Sequence, residues 1–222
     1  MPRHLQREIN NLRQKILTLS TVVEESVYLS VKSFMERDAD LAAKIINKDQ
    51  EVDLIEIEVE EECLKILALH QPVAVDLRYI IAALKLNNDL ERIGDMAVKI
   101  AERTVNISRH NVQEVPIDFS SMAEKVKLML KKSLDALVHM NSGLATEVCI
   151  ADDEVDELHR NTYMVVKNQV SAHPEHISVL LDFLSVSGCL ERIADHTTNI
   201  AEDIIYMIEG EIIRHSKIRE KS

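Results

Sequence analysis

The 222-residue chain is 46% hydrophobic but only 3% aromatic, with four Gly, four Pro and no Trp. That apolar content excludes intrinsic disorder, and the heavy use of Leu, Ile, Val, Glu and Lys points to long helices. The formal net charge of −12 excludes the basic stripe of a nucleic-acid-binding domain and favours a cationic ligand or a basic protein surface. Cys63, Cys149 and Cys189 are odd in number and lack metal-site spacing, so they read as free thiols of a reducing compartment. The opening residues are polar and offer no signal-peptide core, and no apolar run reaches the length of a bilayer span. A cytoplasmic protein without membrane insertion is expected.

Taken in order, the chain predicts six helices. The first covers 5–36, with Ile9, Leu12, Ile16, Leu19, Val23, Val27 and Val31 at helical spacing. Asp38 or Asp40 can cap a second helix that lasts to about 69. Gln71-Pro72 forms a joint, and a third helix spans 75–108. The polar stretch 109–118, with Pro116, is the candidate linker. A fourth helix covers 120–140, and Asn141-Ser142-Gly143 turns the chain. The fifth runs to 170, His173-Pro174 is the second joint, and the sixth covers 175–209. The charged residues 212–222 are expected to fray. With no competing strand pattern, the fold class is all-α: two tandem, pseudo-symmetric three-helix bundles, residues 1–110 and 111–222.

The repeat extends to chemistry. Leu90-Glu91-Arg92-Ile93-Gly94-Asp95 in the third helix returns as Leu190-Glu191-Arg192-Ile193-Ala194-Asp195 in the sixth. Asp49 and Asp53 in the second helix likewise return as Asp152 and Asp156 in the fifth, with Glu-Val-Asp in register. Each pair is spaced i,i+4, which stacks two carboxylates on one helix face and is mildly destabilising without compensation. Antiparallel helices rise equally, about 1.5 Å per residue, so residues equally far from a joint lie level. Asp53 is then level with Glu91 and Asp49 with Asp95. In the second half Asp156 is level with Glu191 and Asp152 with Asp195. Each half gathers four carboxylates, roughly 28 Å from its joint. Such a set must take up protons, pair with basic side chains, stay hydrated or hold cations. An all-oxygen set suits magnesium, calcium, manganese or iron, and Asn88, Glu102, Asn199 and Glu202 could complete a shell.

Blander explanations compete. Among 38 Asp and Glu, chance supplies roughly six i,i+4 acidic pairs, so only the repeated register is informative. On a helical wheel Asp49 and Asp53 fall within an apolar arc with Ile45, Val52 and Leu67, whereas Glu91 and Asp95 point away from Ile93, Ala97 and Ile100, as a solvent face would. Arg92 and Arg192 are rival cations, but at one residue from Glu91 and Glu191 they are expected to brace neighbouring helices. Gly94 and Gly188 suggest close helix approach. His110, His139, His159, His196 and His215 form no metal-binding set, and Asp156-Glu157-Leu158-His159 reads as surface. No catalytic constellation is present.

The stretch Pro72-Val73-Ala74-Val75-Asp76-Leu77-Arg78-Tyr79, running into Asp89-Leu90-Glu91-Arg92-Ile93-Gly94-Asp95, resembles the signature of the PhoU family, accessory proteins of phosphate transport and negative regulators of the phosphate-starvation response. The resemblance covers nearly the whole chain. It implies multinuclear metal clusters on (Glu/Asp)-x-x-x-Asp motifs, which map onto Asp49, Asp53, Glu91 and Asp95, and onto Asp152, Asp156, Glu191 and Asp195. The expected cofactors are divalent or trivalent ions, with iron, zinc, magnesium and manganese as candidates. It further implies a non-enzymatic regulator whose partners are the ATPase subunit of a phosphate ABC transporter and a membrane sensor histidine kinase, and a homodimer. Two departures stand out: Lys99 replaces the Asn that Asn199 supplies one turn after the motif, and Cys189 stands where the first copy has Asp89. A metal-free helical scaffold and a carboxylate-bridged di-iron enzyme are the alternatives; paired Glu-x-x-His motifs, which the latter needs, are missing at matching positions.

Overall fold

In the computed structural model residues 3–110, 117 and 119–211 are described, and they contain six α-helices and no strand. Helix α1 (Arg3–Glu36) buries Leu5, Ile9, Leu12, Ile16, Leu19, Val23, Val27, Val31 and Phe34, the stripe that the spacing predicts. Helix α2 (Ala39–His70) starts at Asp38, the one of the two expected caps that is used: its carboxylate accepts from the Leu41 amide at 2.9 Å. Helix α5 (Ser142–Ala172) starts the same way, with Asn141 accepting from Gly143 and Leu144. In both turns the residue before the cap, Arg37 or Met140, is left-handed, so the two halves share their turn chemistry.

The joints differ. Between α2 and α3 (Ala74–Ile107), Gln71 and Ala74 are left-handed, at φ 46° and 49°, on either side of Pro72 and Val73. A non-glycine residue there costs roughly 1–2 kcal/mol. The second joint is a 3-10 turn, Pro174–His176, so helix α6 (Ile177–Glu209) begins two residues later than expected and ends on left-handed Gly210. Helix α4 is Phe119–His139. The expected boundary at 110/111, Pro116 and most of the expected linker, and the tail 212–222 with His215, lie outside the described residues.

The packing order is α2–α3–α6–α5, with α1 against α2 and α3, and α4 against α5 and α6. The central α3–α6 seam is antiparallel. Lys85 reaches Asp203 at 2.6 Å at one end, and Arg103 reaches Asp182 at 3.4 Å and Ser185 at 3.2 Å at the other. Fully buried Leu86, Leu90, Ile93, Ile193 and Ile200 fill the core around it. Among the described residues no helix is long and apolar enough to cross a membrane.

Candidate metal centre

The two acidic clefts lie between α2 and α3 and between α5 and α6, on either side of the central seam. In the second, carboxylate oxygens of Asp152, Asp156 and Asp195 all lie within 4.8 Å of one another. Asp152 and Asp156 are one turn apart on α5, and Asp195 faces them from α6, as the equal rise of antiparallel helices requires. Burial, then the charges of Asp195, Asp156, Asp153 and Glu191, push the Asp152 carboxyl up to about 6. Glu191 is raised by burial, Asp195 and Asp156, and Asp195 by burial and Asp156, each against the pull of Arg192. One oxygen of Asp152 is fully buried and has no hydrogen-bond partner among the described residues. Three converging carboxylates around an orphaned oxygen fit a hard or borderline cation.

The first cleft brings together the same four positions in a looser way. Burial, followed by Asp53, Asp95 and Glu102, raises the Asp49 carboxyl. Glu91 is raised by burial and Asp95, lowered by Arg92, and raised further by Glu56 and Asp53. Asp53 faces Glu91 and Asp49 faces Asp95, the pairing derived from the hinge, but no three ligand atoms close on one point among the described residues.

Several expectations are corrected. Among the described residues Arg92 makes its ion pairs on its own helix, 3.4 Å from Glu91 and 3.7 Å from Asp95, as an exposed cation at the edge of the first cleft. Glu91 and Asp95 are half-buried rather than a solvent face, because α2 forms a second wall that a single-helix wheel does not contain, and Asp53 is exposed despite its apolar neighbours. Lys99 sits by Cys189 across the seam. Asn199 turns to Asp89 at 3.4 Å rather than to the carboxylates. Gly94 does mark close approach, since a Cβ there would lie 3.2 Å from Val52, whereas at Gly188 the contact would be an ordinary 3.7 Å from His159.

Three features escaped the sequence reading. Buried Asp89 accepts from His196 at 2.8 Å across the seam, and the pseudo-equivalent place holds Cys189. Cys149 is a thiol pushed up to about 12 by burial, then by Glu202 and Asp152. His159 is half-buried, not surface: its Nδ1 lies 2.8 Å from Ser187 Oγ, and burial pushes its ring below the usual imidazole range against Asp156. The Asp-x-x-His spacing was a usable signal, since it puts His159 on the face of Asp156.

Known proteins share this architecture. A family profile described as PhoU domain matches residues 16–104 and 119–204. The phosphate-specific transport system accessory protein PhoU homolog of Clostridium acetobutylicum is 36% identical over 204 residues, covering 91% of this chain and 93% of that protein. The homolog of the same name from Aquifex aeolicus is 33% identical over 215 residues, 97% of each chain. The crystal structure of PhoU from Pseudomonas aeruginosa superposes with a TM-score of 0.88 at 32% identity, covering 93% of this chain and 99% of that one. That of the phosphate transport system regulatory protein PhoU from Streptococcus pneumoniae gives 0.85 at 27% identity, covering 95% and 100%.

Proposed function

Because the chain belongs to the PhoU family, we propose that it regulates phosphate uptake and phosphate-starvation signalling as a negative regulator, acting by binding rather than by catalysis. The observation that carries this reading is that relatives named as accessory proteins of the phosphate-specific transport system match it along nearly their whole length and its own. Its partners are the ATPase subunit of a phosphate ABC transporter and a membrane sensor histidine kinase, met in the cytoplasm by a homodimer. Long helices with few aromatic residues favour docking by helix faces.

Asp152, Asp156, Glu191 and Asp195 would hold metal ions across α5 and α6, and Asp49, Asp53, Glu91 and Asp95 across α2 and α3. A bound ion supplies positive charge that offsets the crowded carboxylates and fixes the spacing of the two helices. The carboxylates of α5 and α6 then stay ionised at neutral pH and hold one separation between the helices, presenting a rigid face. The test is affinity capture of purified phosphate-transporter ATPase subunit on the immobilised chain at high and low phosphate. Phosphate-dependent capture is expected; no capture of the ATPase under either condition by fully helical protein contradicts the docking role.

A further inference from the structure

Among the described residues α2 packs only on α1 and α3, so its side turned away from buried Val52, Val59, Cys63 and Ile66 has no cover. A surface helix places polar and charged residues there. Helix α2 instead exposes Leu54, Ile57 and Leu64, at 64%, 49% and 54%. With exposed Gln50, Glu61 and Ala68 they recur at alternating steps of four and three, the spacing of a seam that receives a second helix, over about 27 Å. The pseudo-equivalent helix shows that the fold does not require this stripe. In the register that sets Asp156 against Asp53, the places of Leu54, Ile57 and Leu64 are held on α5 by exposed Glu157, Arg160 and Lys167. Helix α5 does expose Ile150, Tyr163 and Met164, but Glu157 and Arg160 interrupt them.

Charge at the borders of the stripe selects its occupant. Glu51, Glu58, Glu60 and Glu61 are exposed beside or within it, and of these Glu58 is paired with Lys15. The one exposed base among residues 50–68, Lys65, is already engaged with Glu8 at 2.7 Å and Glu62 at 3.2 Å. A second copy docked α2 on α2 would set these acids against each other, and like charges across an interface cost free energy. A helix with Lys or Arg along its borders matches them instead. We propose that the outer face of α2 docks an amphipathic helix of a partner protein, which seats an apolar stripe on Leu54, Ile57 and Leu64 and carries Lys or Arg on both flanks. The inference rests on the reading of this chain as a docking protein, and adds the face that docks and the chemistry that fits it.

The test uses the full chain and two synthetic helical peptides of about 25 residues, long enough to span the stripe. Both carry the same leucine heptads, one flanked by Lys and the other by Glu, and binding is read by fluorescence anisotropy. The Lys-flanked peptide should bind, and the Glu-flanked one at least ~10-fold more weakly. Leu54→Glu/Ile57→Arg/Leu64→Lys, which installs the α5 residues at exposed positions, should weaken the Lys-flanked peptide by at least ~10-fold with helicity unchanged. Tyr163→Glu/Met164→Glu on α5 should leave its affinity in place. Glu51→Lys/Glu60→Lys/Glu61→Lys should shift the preference to the Glu-flanked peptide, a gain that misfolding cannot imitate. Equal binding of the two peptides, or affinity for the Lys-flanked peptide unchanged in the Leu54/Ile57/Leu64 variant, overturns the proposal. So does self-association of the unmutated chain that this variant abolishes, which would make a second copy the occupant. Failure of the peptides with phosphate-dependent capture of the ATPase subunit intact overturns the α2 face alone; failure of both overturns the docking role as well.

Discussion

In the α2–α3 cleft an arginine of the same helix lies 3.4 Å from Glu91 and 3.7 Å from Asp95, and Asp53 is exposed. In the α5–α6 cleft Asp152, Asp156 and Asp195 converge within 4.8 Å, and Asp152 is held up to about 6 by burial and its neighbours. One acidic register, written twice, has thus reached two electrostatic solutions. In the first, Arg92 pairs with Glu91 and Asp95 at ion-pair distance. In the second, Arg192 also draws Glu191 and Asp195 down, and His196 draws Asp195 down, yet Asp152 stays raised because burial and three converging carboxylates outweigh them there. The same asymmetry crosses the central seam, where Asp89 has His196 and Asn199 as partners and the equivalent Cys189 has Lys99 nearby.

Three experiments sharpen or break this comparison. The largest effect is expected at the seam. Asp89→Ala removes a buried acceptor from His196 and Asn199 and should destabilise the protein by roughly 1.5–3 kcal/mol. The matched Cys189→Ala should cost about 1 kcal/mol, both read by urea denaturation. Equal losses would mean that the seam is symmetric in energy despite its sequence.

Next comes pH. The Asp152 carboxyl, held well above the ordinary aspartate value of 3.8, keeps its proton longer in the folded chain than in the unfolded one. The metal-free protein is therefore favoured at low pH by this group and loses that advantage as pH rises from 3.8 to about 6. Asp152→Asn should flatten that part of the melting-temperature profile and raise the melting temperature at pH 7. Asp49→Asn, in the looser cleft, should do the same more weakly. A profile of the same shape in wild type and Asp152→Asn would remove the claim that burial and crowding raise the Asp152 carboxyl.

The smallest effect is expected at Arg92. Arg92→Ala breaks ion pairs with half-exposed carboxylates and should cost at most ~1 kcal/mol. It should also tighten Mn²⁺ binding in the first cleft, because a competing cation is gone; unchanged Mn²⁺ affinity in calorimetry would show that Arg92 does not guard it.

Much of this was legible in the sequence, for identifiable reasons. Asp38 and Asn141 cap helices because their short side chains reach the first free amides, and Pro72 and Pro174 sit where helices cannot continue. The levels of the acidic pairs follow from helix rise alone, which is why Asp53 meets Glu91 and Asp156 meets Glu191. What was hidden depended on neighbours and rotamers. A single-helix wheel cannot supply the second wall that half-buries Glu91 and Asp95. Residue spacing does not say that Arg92 folds back along its own helix. His159 looked like surface because its partner, Ser187, lies on another helix and is itself unremarkable in sequence.

The central claim is that the α5–α6 carboxylates form a cation site of their own, separate from the α2–α3 set. The most direct measurement is the metal content of protein purified without chelator, by mass spectrometry, for wild type, Asp49→Asn/Asp95→Asn and Asp152→Asn/Asp195→Asn. Loss of bound metal in the last variant, with the larger share retained in the other, is the predicted result. Metal content unchanged by Asp152→Asn/Asp195→Asn in folded protein would contradict the account.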